Sequence, residues 1–238
     1  SVLSAPVWGF YDVLFNGKPF VFQRPYEAYV MENILFKISF PAEFHAQTAA
    51  EAAMTLYQQL VQLGKNAENI QSVNIRTHEA AIRIIDKQGT LHNPADRDHC
   101  IQYMVAVPLI FGRLTAADYE NDIAADPRID RLRDKITCVE DAEFTKDYFD
   151  PAKRSIANAL TVTLDDGTSL PEIIVEFPIG HPRRRVEGIP LLIKKYRLNL
   201  SHLFSSDQQM RIWDATKSYE KFIDLDVHRL VDLMIVTD

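Results

Sequence analysis

Apolar residues recur at Ala49, Ala52, Ala53, Leu56, Leu60 and Leu63. That spacing predicts a helix from near His45 to residue 63, closed by Gly64. Before it, the apolar run over 29–40 reads as a strand. Pro41 ends that run, because proline cannot continue a ladder and favours an extended residue before it. Val73 and Ile75 alternate with polar neighbours over 72–77, a second strand, and 78–85 continues as a helix or turn. Residues 86–90 are loop. The stretch 96–112 keeps almost no polar face beyond its first turn, the pattern of a buried helix. Asp96 is placed to cap it, Asp98 adds charge to the first turn, and Pro108 should kink it.

Further along, Pro127 opens a helix carrying Ile129 and Leu132, residues 136–139 form a short strand, and a loop starts at Asp150. The runs 159–164 and 172–177 flank Asp165-Asp166-Gly167-Thr168, a hairpin signal. After Pro178 three helical patterns follow, near 187–203, 206–222 and 225–236, with Asp207 and Asp224 as caps. At the other end, residues 4–15 read as a short helix with Phe10, Val13 and Leu14 apolar and Gly17 just past it. The layout predicts an α+β fold. A two-layer domain of helices on a sheet spans 30–178, between helical segments at 1–29 and 179–238 that belong together.

Composition narrows the function. The 238 residues are 47% hydrophobic and 25% charged, an ordinary globular balance. A net charge of -7 argues against a general nucleic-acid or membrane-surface binder, which needs a basic face. It leaves room for an anionic substrate held by a local cationic cluster. No apolar run has the length that spans a bilayer, and no signal peptide is evident. The two cysteines, Cys100 and Cys138, sit in apolar surroundings and read as buried free thiols of a reducing compartment. With no Cys-x-x-Cys pair and no His-Glu-x-x-His, neither a metal site nor an iron–sulfur cluster is expected. Gly-x-Ser-x-Gly and phosphate loops are also absent, so hydrolase and nucleotide functions lack support.

Candidate chemistry gathers where the first strand gives way to its helix. Lys37, Glu43, His45, Gln47 and Thr48 cluster around a helix N-terminus, whose free N–H groups and positive dipole end suit a carboxylate. The plainer reading is that His45 and Thr48 cap the helix and Lys37 is solvated. His78, at the end of the second strand, either reaches the same cleft or faces solvent. His99, in the first turn of a buried helix, reads as a structural, hydrogen-bonded residue. Arg183-Arg184-Arg185 form a solvated turn, or contact a neighbouring subunit or substrate carboxylates.

Four blocks carry a family likeness. They are Trp8-Gly9-Phe10-Tyr11-Asp12-Val13-Leu14-Phe15, Phe40-Pro41-Ala42-Glu43-Phe44-His45-Ala46-Gln47-Thr48-Ala49, Arg97-Asp98-His99-Cys100-Ile101-Gln102-Tyr103-Met104, and Gly180-His181-Pro182 with Lys194-Lys195-Tyr196. The chain resembles the 2-methylcitrate dehydratase branch of the MmgE/PrpD family, over the second half of such an enzyme.

The resemblance implies a helical domain interrupted by a mixed lid, here residues 30–178, and dehydration of a tricarboxylate in propionate breakdown without an iron–sulfur cluster. It implies Lys37 and His45 as catalytic residues, with Glu43, Gln47 and His78 binding substrate and no metal or cofactor. It also implies a homodimer completed by the missing N-terminal half, in the cytoplasm or, in a eukaryote, the mitochondrial matrix. The sister activity, decarboxylation of cis-aconitate, and a non-catalytic assembly module are the alternatives.

Overall fold

The computed structural model describes residues 1–22, 25–28 and 33–236. The chain forms two compact units, Ser1–Ile34 and Leu35–Asp238. In the first, helix α1 (Phe10–Phe15) ends on Asn16 in the left-handed conformation. The helix expected from residue 4 begins later because Val7, at φ 67°, breaks the helical path.

The second unit has at its centre helices packed on a four-stranded sheet, with a group of C-terminal helices that pack on one another. Helix α2 (Gln47–Gln62) follows a 3-10 turn at Phe44–Ala46. Ala49, Ala52, Ala53, Leu56 and Leu60 form its fully buried stripe. Gly64 (φ 66°) ends it, with Gly64 N–H bonded to Val61 O and Lys65 N–H to Leu60 O, as in a Schellman motif. Strand β1 (Ile70–Thr77) buries Val73, Ile75 and Thr77 and exposes Asn74, the alternation expected of a strand covered on one side. Helix α3 (Glu79–Ile85) follows directly.

The long helix expected over 96–112 is two elements. Helix α4 (Pro94–Arg97) is capped by Asn93, with proline at its start, so Asp96 lies inside rather than at the cap. Helix α5 (Ile101–Phe111) carries the buried run, continues through Pro108 and ends at Gly112. Short α6 (Asn121–Ala124) and α7 (Pro127–Arg133) lead to β2 (Ile136–Glu140), then α8 (Ala142–Phe149), β3 (Asn158–Leu164) and β4 (Ile173–Val175). The strand order is β2-β1-β3-β4. β2 runs parallel to β1, while β3 is antiparallel to β1 and to β4. The register sets Thr77 opposite Asn158 and Ile75 opposite Leu160. Cys100 is buried and Cys138, on edge strand β2, only partly so; both are free.

The expected first strand is corrected. Residues 29–32 lie outside the described ones, and the described part up to Phe40 joins no sheet. Phe36 N–H bonds to Gly180 O (3.1 Å) and Lys195 Nζ donates to Lys37 O. Ile38 is buried beside Gly188 of helix α9 (Arg185–Ser201). Apolar alternation here serves packing against a helix, not a ladder. The C-terminal helices are α9, α10 (Ser206–Thr216), α11 (Tyr219–Ile223) and α12 (Val227–Leu233). Ser205, not Asp207, caps α10, and Asp224 ends α11 rather than starting α12.

Candidate active site

The site is assembled where β1 and β3 meet the start of α2. Asn158, first residue of β3, donates its side-chain amide to His45 O (2.8 Å) and to Thr48 Oγ (2.7 Å). Thr48 Oγ in turn donates to Ile156 O (2.6 Å). These buried bonds fasten the entry of α2 to the end of the sheet. From the other side, both amide hydrogens of buried Gln47 go to backbone carbonyls, of Phe40 and Ala42, at 2.8 Å each.

Glu43 and His45 form a tight pair on this frame. Glu43 Oε2 accepts the His45 N–H (2.8 Å), and the carboxylate lies 2.8 and 3.0 Å from Nδ1 through Oε1 and Oε2. Both side chains are about 15% exposed (14% for His45, 15% for Glu43). Burial pushes the Glu43 carboxyl up, but the hydrogen bond and charge of His45 outweigh it, and the net displacement is downward. An ionised Glu43 places the imidazole hydrogen on Nδ1.

The other ring nitrogen, Nε2, lies 3.1 Å from the hydroxyl of Tyr148 on α8. Burial, then the charge of Glu43, push the Tyr148 phenol up, so it stays protonated at neutral pH. Its ring stacks on His78 at 4.4 Å and 12°, and the His45 and His78 rings are 5.1 Å apart.

His78 does not face solvent; it is fully buried. Its Nδ1 accepts Ala81 N–H (3.2 Å) as the cap of α3, which leaves the ring hydrogen on Nε2. Burial, then the nearby His45, lower its pKa to about 4, against a smaller upward pull from Glu43. It is therefore a neutral imidazole. His78 Nε2, Thr77 Oγ1 and Asn158 Oδ1 are buried with no hydrogen-bond partner among the described residues.

A cavity of about 570 Å³ opens beside the pair, lined by Leu35, Phe44, His45, Tyr148, Arg154 and Ile156 among others. That volume suits a small ligand. A carboxylate–imidazole pair, a phenol and an arginine on one such cavity can move protons and hold anions.

Of the residues singled out in the sequence, Glu43, His45 and His78 come together. Lys37 is exposed and is not among the cavity's lining residues. Gln47 holds backbone, as described. His99 is exposed and pairs with Asp98. The three arginines are internal ties. Arg184 clamps both Glu51 oxygens at 2.8 Å, Arg183 lies over Phe177 and Arg185 over Phe36. Tyr148 escaped the sequence reading. Its helix starts at Asp141, whose side chain accepts the N–H groups of Glu143 and Phe144, and the Asp141 cap followed by Phe144 and Tyr148 four apart was the available signal. Among the described residues no group of three or more His, Cys, Asp or Glu side chains is placed to hold a metal ion, and no helix is long and apolar enough to cross a membrane.

Residues 40–221 match the family model described as the MmgE/PrpD C-terminal domain. The chain is 64% identical to the 2-methylcitrate dehydratase of Cupriavidus necator over 236 residues, which covers 99% of this chain and 49% of that protein. It is 61% identical to the 2-methylcitrate dehydratase of Escherichia coli K12 with the same coverage. Identity to the 2-methylcitrate dehydratase, mitochondrial, of Yarrowia lipolytica is 58% over 238 residues, 100% of this chain and 45% of that protein. The chain thus spans about half the length of the curated relatives it matches.

Proposed function

Since the chain belongs to the MmgE/PrpD family and carries its C-terminal domain, we propose that it is part of a hydro-lyase that dehydrates 2-methylcitrate to 2-methyl-aconitate in propionate breakdown. The observation that carries this reading is the Glu43–His45 pair, closed by hydrogen bonds of 2.8 Å and set on a cavity with Tyr148 and Arg154. Elimination of water next to a carboxylate needs a base for the carbon-bound proton, an acid for the leaving hydroxyl, and cations for the carboxylates. Glu43 orients the His45 imidazole and stabilises its cation, so the pair stores the proton during turnover. Arg154, on the cavity wall, holds a substrate carboxylate. His78 contributes a neutral ring against which Tyr148 is fixed. Asn158, Thr48 and Gln47 hold the segment that carries the pair.

In this reading a further polypeptide half completes the enzyme, and the chain alone does not turn over, because base, acid and carboxylate holders must share one geometry. The whole works as a homodimer, in the cytoplasm or, in a eukaryote, the mitochondrial matrix. The test is ultraviolet absorbance of the alkene product from 2-methylcitrate, using the full-length protein, its mass verified, with and without a chelator. Turnover that withstands the chelator is expected. No turnover, or loss restored by iron or zinc, would overturn the proposal.

A further inference from the structure

We infer that the Tyr148 hydroxyl, rather than the imidazole of His45, meets the reacting atoms of the substrate, with His45 acting behind it. The inference deepens the acid–base reading of this site and rests on it. Both nitrogens of His45 are already engaged, Nδ1 by the Glu43 carboxylate and Nε2 by Tyr148 at 3.1 Å. No nitrogen of the ring is left to face a ligand. The phenol oxygen is one step further along the chain. It donates one hydrogen bond to Nε2 and keeps lone pairs for another partner, and Tyr148 lines the cavity. Its ring cannot swing freely, because it lies 4.4 Å from the buried His78 ring and nearly parallel to it. Carboxylate, imidazole and hydroxyl in that order are the arrangement that activates a hydroxyl elsewhere; here the hydroxyl belongs to a phenol.

The step balances within this chain of groups. The carbon–hydrogen bond next to a substrate carboxylate breaks, and its proton passes to the Tyr148 oxygen as the Tyr148 proton passes to His45 Nε2. The electron pair stays on carbon, spread onto the neighbouring carboxylate, and Glu43 holds the imidazolium. The proton then returns by the same path, from Nε2 to the Tyr148 oxygen and from Tyr148 to the β-hydroxyl. The carbon–oxygen bond breaks, the double bond forms, and water leaves with His45 and Tyr148 restored. Among the described residues, Glu43, His45 and His78 are the titratable groups that act on or touch the phenol, and Arg154 lines the same cavity.

The test is Tyr148→Phe in the full-length enzyme with 2-methylcitrate, which keeps the stack on His78 and removes only the hydroxyl. A fall in kcat of roughly a hundred- to ten-thousand-fold is expected, with KM within a few-fold and an unchanged melting temperature. A second measurement replaces Tyr148 by a fluorinated tyrosine of lower phenol pKa. The pH profile of kcat should move to the acid side, which a ring that only packs would not cause. Turnover within ten-fold of wild type for Tyr148→Phe, or an unmoved profile in the fluorinated enzyme, would overturn the inference. If Tyr148→Phe misfolds, the fluorinated enzyme alone decides. His45→Asn separates the two levels. Should it retain full turnover, the acid–base reading of the site falls and this inference with it. Should it be inactive while Tyr148→Phe is active, only the role of Tyr148 falls.

Discussion

The Tyr148 hydroxyl stands 3.1 Å from His45 Nε2, although 103 residues separate them in sequence. Two different elements meet there, the 3-10 turn before α2 and the last turn of α8, and buried His78 sets the ring that links them. Glu43 on the other side of His45 makes the three side chains a continuous hydrogen-bonded path ending on a cavity.

Buried, neutral His78 should make the protein acid-sensitive in a defined window. Its folded pKa of about 4 lies below its ordinary 6.5, so the unfolded chain binds more protons between those values. Stability therefore falls as pH drops from 6.5 to about 4, by roughly 3 kcal/mol for a displacement of this size. Glu43, also displaced downward, loses its contribution only as pH falls below its ordinary 4.5, so the two windows are separable. Denaturant melts of wild type and His78→Phe between pH 7 and 4 check this. The variant should show a flatter profile above pH 4.5, and an equal slope in both would contradict the assignment.

Gly180 should be irreplaceable for a steric reason. A Cβ there would lie 1.6 Å from Phe36 O, and the Phe36 N–H bonds to Gly180 O. Gly180→Ala must push the 36–45 segment away and carry His45 with it. A lowered melting temperature together with reduced kcat is expected, and a variant identical to wild type in both would show that the approach is not constrained.

Much of this was legible in the sequence. The alanine stripe of α2, the buried α5 and the alternation of β1 follow from periodicity that packing obeys. Glu43 and His45 stood out because they flank a helix start. What was hidden depends on contacts distant in sequence. The apolar alternation before Pro41 looks the same whether it pairs with a strand or, as with Ile38, packs beside Gly188. His78 is buried because β1 ends inside the molecule and α8 covers it, and α8 itself is hard to read from sequence because it is only eight residues long and interleaves charged with apolar residues. Asn93 displaced Asp96 as a cap because Pro94 favours the first helical position.

Lys37 separates positioning from chemistry. It is exposed, and among the described residues its ammonium makes no hydrogen bond or ion pair. Lys37→Ala should leave stability within about 0.5 kcal/mol of wild type. A raised KM with kcat held marks a residue that gathers the anionic substrate. A hundred-fold loss of kcat would instead make Lys37 part of the proton transfer.

In the proposed reaction the Glu43–His45 pair moves the proton. Steady-state kinetics of His45→Ala in the full-length enzyme, paired with a melting curve, decides whether it does. A fall in kcat of roughly a hundred- to ten-thousand-fold is expected, with stability reduced by no more than about 1–2 kcal/mol. Wild-type turnover with a lowered melting temperature would mean that His45 only secures the start of α2 and moves no proton.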